Sequence, residues 1–291
     1  MEIWIPITIG AAFLQNLRSM LQKRAVGTLS VNGATYIRFC YALPFVLLYL
    51  LYLGLDRGLP EVSTKFLLHC LVAGVAQITG TAFLVASFTH DNFAVGTTFS
   101  KTEVALTAMF GFIVLGDTLG ASEWTGIAVS FVGVALMSAR GAIREIFRGN
   151  RALLLGMLSA VGIAIAAVNY RAAALSLPDG DFLIRASLTL AVSVTLQTIV
   201  MGGYLLVREP GEMTRVFRNW RLAVWVGLVG GVASAGWFTA MTLVNAGLVR
   251  ALGQVELLFT FLASIWFFKE NVSRKEISGA LLVVVGIYLL I

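Results

Sequence analysis

The sequence predicts an all-α polytopic membrane protein whose ten transmembrane helices form a 5+5 inverted repeat around a central cavity. Three observations predict this fold class. Apolar residues make up 58% of the 291 residues and charged residues only 12%, whereas a soluble domain carries about 25% charged residues. Ten apolar windows have the length of a membrane span, and the chain resembles itself at an offset of 153 residues. This composition excludes a soluble globular domain and also excludes intrinsic disorder, which requires low hydrophobicity.

Each predicted span supplies the run of about 20 apolar residues that crosses the hydrocarbon core. The ten spans lie over residues 3–22, 33–53, 66–88, 94–115, 120–138, 152–174, 182–206, 221–243, 247–267 and 273–291. Turn-forming or charged residues separate them, as at Gly54–Pro60 and Pro178–Asp181. The first window ends in polar and basic residues and lacks a small-residue cleavage site, so we expect a retained helix and not a signal peptide.

Basic residues in the connecting loops predict the orientation. Loops 1, 3, 5, 7 and 9 carry thirteen Lys and Arg residues, whereas loops 2, 4, 6 and 8 carry three, counted as Arg57, Lys65 and Arg250. Because short basic loops stay in the cytoplasm, we expect residues 140–151 inside and both termini on the extracytoplasmic side. Loops this short leave no room for a soluble catalytic domain. The expected location is the plasma membrane, which is the inner membrane in a bacterium.

An internal repeat divides the chain into residues 1–139 and 152–291, joined by the basic connecting loop 140–151. Positions that match at the offset of 153 include Asn92 with Asn245, Glu103 with Glu256, Gly126 with Gly279 and Gly133 with Gly286. Each half holds five helices, and this odd number inverts the second half in the membrane. Secondary transporters use such inverted repeats to build one site that opens alternately to each side.

A family resemblance rests on a pattern that occurs once in each half. An apolar helix, a short polar turn and a glycine-spaced last helix form residues 104–138 (VALTAMFGFIVLGDTLGASEWTGIAVSFVGVALMS) and residues 257–291 (LLFTFLASIWFFKENVSRKEISGALLVVVGIYLLI). Over essentially its whole length the chain resembles the EamA-type ten-helix carriers of the drug/metabolite transporter superfamily. Asp117 and Lys269 depart from the Leu-Gly-Glu pattern of that family. The resemblance implies a carrier of small metabolites, and exporters of amino acids, aromatic ones included, are nearest in size and polarity.

Five basic and two acidic side chains within the predicted spans are the candidate intramembrane charges. Each would cost about 2.5–3.5 kcal/mol at a helix centre, so each needs a partner, a wet cavity or a route to the interface. Six of them form two repeat-related sets in opposite membrane halves, namely Arg18, Arg38 and Glu103, and Arg171, Arg185 and Glu256. These sets are either snorkelling arginines with structural ion pairs or paired gates that form on alternate sides. We expect Arg18 and Glu103 to act together in a cytoplasmic-side network.

The seventh charge, Lys101, has Gln254 as its repeat equivalent. It either snorkels or faces the cavity, where it would meet a substrate carboxylate. The other candidate cavity residues come from the first, third, sixth and eighth spans: Asn16, Gln77, Thr81, Phe83, Asn169, Tyr170, Ser234 and Trp237. The alternative role of the small polar side chains is helix–helix contact, and Trp237 with Phe83 would flank an apolar side chain.

Glycines recur at seven-residue spacing in the last helix of each half, at Gly126 and Gly133 and at Gly279 and Gly286. Because small residues let helix backbones approach closely in a membrane, we interpret these glycines as packing residues. The family resemblance also implies that these terminal helices mediate subunit contact, and the sequence leaves the oligomeric state open.

The sequence holds no recognisable catalytic or metal-binding constellation. His69 and His90 lack metal-ligand spacing, and no Walker loop, G-x-S-x-G or dinucleotide fingerprint occurs. We expect a small-molecule substrate and the lipid bilayer as partners, and no enzyme activity, metal, cofactor or nucleic acid. Three functions remain: a secondary carrier that exports amino acids or similar metabolites, a drug or organic-cation efflux carrier of the same fold, and a membrane scaffold or intramembrane enzyme. Arginines near both buried acids disfavour organic cations, and whether Glu103 and Glu256 couple transport to protons stays open.

Overall fold

The computed structural model describes residues 2–25, 28–88, 99–138, 151–266 and 273–291. Nearly all of these residues are helical, and we number the thirteen helices in chain order. They are α1 Trp4–Ala25, α2 Val31–Cys40, α3 Leu43–Arg57, α4 Thr64–Phe88, α5 Glu103–Leu115, α6 Ala121–Ser138, α7 Arg151–Ser176, α8 Phe182–Arg208, α9 Glu212–Arg218, α10 Trp220–Leu243, α11 Ala246–Leu252, α12 Val255–Trp266 and α13 Arg274–Leu290. Every predicted span holds at least one of these helices, so the predicted all-α polytopic fold is confirmed.

Five stretches within the described ranges are long and apolar enough to cross a membrane. They are Val31–Arg57, Thr64–Leu84, Leu153–Ser176, Phe182–Arg208 and Trp220–Leu243. Glu103–Leu115 and Ala121–Met137 form shorter apolar helices. The loop at His90, residues 140–150 and the Phe268-Lys269-Glu270 turn lie outside the described residues, and the expectations about them stay predictions.

The second span consists of two helices, α2 and α3, instead of one. Pro44 lies in the first turn of α3 and has no backbone N–H to donate to the carbonyl one turn earlier. At this point the backbone hydrogen bond reaches back three residues instead of four, because the Ala42 N–H donates to the Phe39 carbonyl at 3.1 Å. The regular pattern resumes when the Val46 N–H donates to the Ala42 carbonyl at 3.0 Å. Hydropathy alone does not reveal this break, although the proline marks it.

The fourth and ninth spans are interrupted at corresponding positions of the two halves. A turn at Lys101–Thr102 precedes α5, and a turn at Gly253–Gln254 precedes α12. The last N–H of each turn donates to the carbonyl three residues back, at 3.2 Å in the first turn and 3.1 Å in the second. Positions 101 and 253 are 152 residues apart, within one residue of the sequence offset. An irregular turn therefore precedes α5 and α12 at corresponding positions of the two halves.

The chain divides into two compact units that do not follow the sequence repeat. The first unit comprises Met1–Val75 with Asn169–Leu243, and the second comprises Ala76–Val168 with Val244–Ile291. In the first unit α1 packs on α10, and α8 packs on α2, α3 and α10. In the second unit α6 packs on α13, and α5 packs on α11. Each predicted half contributes helices to both units, and the boundaries of the halves stay a prediction.

Four glycines make the α6–α13 contact possible. A Cβ atom added to Gly133 would lie 2.6 Å from the Gly279 carbonyl oxygen, and one added to Gly126 would lie 2.7 Å from the Gly286 carbonyl oxygen. Real Cβ atoms do not approach other atoms so closely, so both positions require glycine. The order of the two pairs shows that the helices run antiparallel. The packing role predicted from the seven-residue spacing is confirmed.

A third close approach fixes α10 in the first unit. A Cβ atom on Gly227 would lie 2.5 Å from the Tyr41 carbonyl oxygen, at the break between α2 and α3. One turn away, Gly231 is in ordinary van der Waals contact with Val46 and Ala42. Gly227 and Gly231 therefore let α10 pack closely against the break between α2 and α3.

Candidate functional site

Four charged side chains of the second unit form an ion-pair cluster. The Lys101 Nζ lies 2.5 Å from the Glu256 Oε1, and the Arg250 Nη1 lies 3.8 Å from the Glu103 Oε1. Lys101 and Glu103 are two residues apart in the chain, so the two pairs are adjacent. The side chains keep between 13% and 22% of their exposure. The cluster is electrically neutral, with two positive and two negative groups.

Local backbone structure favours three of the four charges at their positions. Glu103 and Glu256 lie in the first turns of α5 and α12, where the positive end of the helix dipole stabilises a carboxylate. Arg250 lies in the last turn of α11, where the negative end stabilises a cation. Lys101 lies in the turn before α5. The interrupted spans thus bring three helix ends with matched charges, and the lysine that pairs with Glu256, into one unit.

These ion pairs differ from the partners considered at the sequence level. The structure pairs Glu103 with Arg250, whereas the sequence suggested Arg18, and it pairs Lys101 with Glu256. The assignment of Arg250 to a loop is wrong, because the Asn245 side chain caps α11 by accepting the Gly247 N–H at 2.7 Å. Arg250 therefore lies inside a helix. The coupling of Arg18 to Glu103 stays a prediction.

Gln254, the repeat equivalent of Lys101, is a buried polar residue beside the cluster in sequence. It is 3% exposed, and within the described part of the chain neither of its amide atoms has a hydrogen-bond partner. An unsatisfied buried polar group costs about 1–3 kcal/mol. Gln254 ends the turn that precedes Glu256. A ligand with a polar group would relieve this cost.

A cluster of amide and aromatic side chains lies in the first unit. The Tyr170 ring packs against the Phe238 ring with centroids 4.5 Å apart, and the Gln197 Nε2 donates to the Tyr170 hydroxyl oxygen at 3.1 Å. Tyr170 and Gln197 are 3% and 2% exposed. The sequence predicted Tyr170 and missed Gln197 and Phe238. A glutamine in the middle of the apolar α8 was the signal that could have found Gln197.

The other candidate cavity residues are divided between the two units. Asn16, Ser234 and the buried Trp237 belong to the first unit, together with Asn169 and Tyr170. The half-buried Gln77, Thr81 and Phe83 belong to the second unit.

Two of the polar candidates form hydrogen bonds within their own unit. The Asn169 Oδ1 lies 2.8 Å from the His69 Nδ1, which links α7 to α4. The Thr81 hydroxyl donates to the Gln77 carbonyl one turn earlier at 2.7 Å. The bond from Asn169 is a helix–helix contact, and the bond from Thr81 stays within α4.

The four candidate arginines contact backbone or apolar groups of the first unit. The Arg171 Nη1 donates to the Met241 carbonyl at the end of α10 at 2.7 Å. Arg185 donates to the carbonyls of Asp179 and Pro178. Arg18 is 7% exposed with its stem against Gly230, and the Arg38 guanidinium lies 5.2 Å from the Phe39 ring centre. These contacts favour the structural role for Arg171 and Arg185, and the gating role stays a prediction.

Comparison with known families decides the class of this protein. The EamA-like transporter family matches the chain twice, over residues 2–139 and 150–291. The chain belongs to the EamA-like transporter family. A crystal structure of another protein matches this EamA-like transporter over 98% of its chain and 94% of the other chain, with a TM-score of 0.72 and 15% identity, which shows a shared fold. No curated protein matches.

Family membership establishes the general activity. This EamA-like transporter is an integral membrane transporter of small molecules, and the family consists of transporters and not of enzymes. The match in two repeats agrees with the resemblance noted in the sequence. The ion-pair cluster of the second unit and the Tyr170 cluster of the first are therefore parts of a transport protein.

Proposed function

We propose that this EamA-like transporter is a secondary carrier that exports zwitterionic amino acids, bulky and aromatic ones included, by alternating access. The neutral ion-pair cluster carries the proposal. A zwitterion brings one carboxylate and one ammonium group, so the cluster and its ligand stay neutral together. An organic cation would leave one uncompensated charge in a poorly solvated site, which is costly.

Binding exchanges one set of ion pairs for another. Without ligand, Lys101 neutralises Glu256 and Arg250 neutralises Glu103. A ligand carboxylate would bind Lys101 and Arg250, while its ammonium group would bind the two glutamates through charge-assisted hydrogen bonds. Because the existing ion pairs are given up, net binding is modest, as release from a carrier requires.

The interrupted spans support this location for the site. In secondary transporters, discontinuous helices at corresponding positions of the two halves form the substrate site. The turns at Lys101–Thr102 and Gly253–Gln254 match this description, and each ends within two residues of a glutamate of the cluster. Gln254 would supply an additional donor and acceptor. The sequence contains no Walker loop, which favours a secondary carrier over an ATP-driven one.

Efflux of organic cations is the second candidate function. Two carboxylates within predicted spans, Glu103 and Glu256, favour it. A basic partner for each carboxylate weighs against it, because the cation would have to displace Lys101 or Arg250 without replacing its lost partner.

Efflux from liposomes separates the two functions. We expect purified protein to release labelled phenylalanine at least about tenfold faster than a labelled quaternary ammonium compound, the factor that corresponds to 1.4 kcal/mol. Protein-free liposomes supply the background, and excess unlabelled phenylalanine should compete. Release of the organic cation without release of any amino acid would contradict the amino-acid proposal and support the alternative.

Replacement of Trp237 tests the prediction, made from the sequence, that this residue recognises the substrate side chain. Trp237 is 7% exposed in α10, and burial of a large apolar side chain is worth about 1.5–3 kcal/mol. Trp237→Ala is expected to weaken export of phenylalanine more than export of alanine, whereas Trp237→Phe keeps an aromatic ring and serves as the matched control. Competition between the two amino acids in liposomes measures the difference. Equal losses for both would mean that Trp237 supports the fold, and unchanged flux would remove it from the binding site.

A further inference from the structure

We propose that the first unit carries a binding surface for the headgroup of an anionic phospholipid. The surface consists of the arginines and aromatic residues of α9 and the adjoining helix ends: Arg208, Arg215, Phe217, Arg218, Trp220 and Arg221. We call it the basic–aromatic surface. It is separate from the ion-pair cluster, which lies in the second unit, and it does not depend on the identity of the transported substrate.

The acidic side chains of this segment point away from the surface and bind the start of α2. Glu212 is 2% exposed, and its Oε1 accepts the Ser30 N–H at 2.6 Å. The Glu209 carboxylate accepts hydrogen bonds from the Ser30 hydroxyl at 2.5 Å and from the Asn32 Nδ2 at 2.6 Å. Val216, one turn after Glu212, is also buried. Glu212 and Val216 therefore dock one side of α9 on the protein, and Glu209 at the end of α8 binds the same start of α2.

The exposed side chains of this segment carry positive charge. Arg208, Arg215, Arg218 and Arg221 are all exposed. Arg215 retains 61% of its side-chain exposure despite an ion pair of 3.1 Å with Glu212. Among the described residues, no carboxylate pairs with the other three. Because the two glutamates bind the start of α2 and the arginines are exposed, positive charge is concentrated where an external anion can bind.

Aromatic side chains identify the anion as part of a lipid. Phe217 and Trp220 are 58% and 55% exposed, and the Arg221 guanidinium lies 5.7 Å from the centre of the Trp220 ring. Trp220 begins α10, a helix long enough to span the membrane. Exposed aromatic rings at the end of a span belong at the headgroup level, and a guanidinium matches the geometry of a phosphate. Basic clusters next to a span attract anionic lipids, so a phospholipid satisfies both features at once.

Lipid binding to the purified full-length protein tests the proposal. Native mass spectrometry of the protein titrated with phosphatidylglycerol measures affinity, and phosphatidylcholine is the neutral comparison. We expect the R215Q/R218Q/R221Q variant to lose about tenfold or more in phosphatidylglycerol affinity, equivalent to 1.4 kcal/mol. The matched control R24Q/R151Q/R274Q removes three exposed arginines elsewhere and should keep wild-type affinity.

Two further variants keep the test decisive. R218Q/R221Q leaves the Arg215–Glu212 contact intact and should lose affinity without loss of folding. F217A/W220A should weaken phosphatidylglycerol while leaving any binding of soluble glycerol phosphate unchanged. Equal affinity of R218Q/R221Q and the matched control would overturn the proposal. Full competition by glycerol phosphate would also overturn it, because a soluble phosphate would then be the ligand.

Discussion

Reversing both charges of the Lys101–Glu256 pair is expected to restore part of the stability and transport that either single reversal removes. Lys101→Glu alone would place three carboxylates against Arg250, and Glu256→Lys alone would place three cations against Glu103. Breaking a fully buried pair costs about 3–5 kcal/mol. Because each side chain keeps about a fifth of its exposure (22% and 20%), we expect the cost near the lower end of that range.

Thermal unfolding in detergent and phenylalanine flux in liposomes measure the two effects. The double reversal keeps the cluster neutral, so its unfolding temperature should approach the wild-type value more closely than that of either single variant. If the double variant loses the sum of the two single losses, the residues are not coupled.

The exposed pair formed by Arg57 and Asp181 provides the control. Its side chains are 34% and 44% exposed, and surface ion pairs contribute about 0–1 kcal/mol. Arg57→Gln should therefore leave stability and flux nearly unchanged. A loss at Arg57 as large as the loss at Lys101 would mean that removal of any charge destabilises the protein in detergent.

The sequence predicted features that depend on local composition or on regular spacing. Spans follow from the length of apolar runs, and the glycine contacts of α6 and α13 follow from a seven-residue spacing that puts Gly126 and Gly133 on one helix face. The repeat offset also located the two glutamates that begin α5 and α12. These features could be predicted because each is contained within one helix or is repeated at a fixed offset in the sequence.

Partner choice among charged residues could not be predicted in the same way. Glu103 and Arg250 are far apart in sequence, and nothing in either helix alone indicates that they meet. The interruptions before α5 and α12 were missed because an apolar window does not register a single turn bonded three residues back. Pro44 is different, since its missing N–H is visible in the sequence and could have indicated the break, although the second span was predicted as one helix.

The short helix α9 was missed for a further reason. Seven residues with three charges do not form an apolar window, so the hydropathy pattern predicts a loop between the seventh and eighth spans. Its stability comes from tertiary contacts, chiefly the buried Glu212 carboxylate on Ser30 and the buried Val216. Such contacts decide whether a short helix forms, and they are absent from any pattern within the segment.

Substitution of the crossing glycines is expected to have the largest effect on folding. A Cβ atom on Gly279 would lie 2.6 Å from the Gly133 carbonyl oxygen and 2.9 Å from the Met137 nitrogen, both of which are backbone atoms. Neither can move without displacing α6. Overpacking costs about 1–3 kcal/mol and sometimes more, so Gly279→Ala should lower the unfolding temperature and Gly279→Leu should prevent recovery of monodisperse protein.

Gly203→Ala is the matched control, because a Cβ atom at Gly203 in α8 would meet no atom within 4 Å. Alanine favours the helix over glycine by about 1 kcal/mol, so this variant should be as stable as the wild type or slightly more so. An unfolding temperature of Gly279→Ala equal to that of Gly203→Ala would contradict the close crossing. The same geometry restricts assembly: the glycine faces of α6 and α13 are already filled by each other, so a subunit contact through these terminal helices must use their other faces.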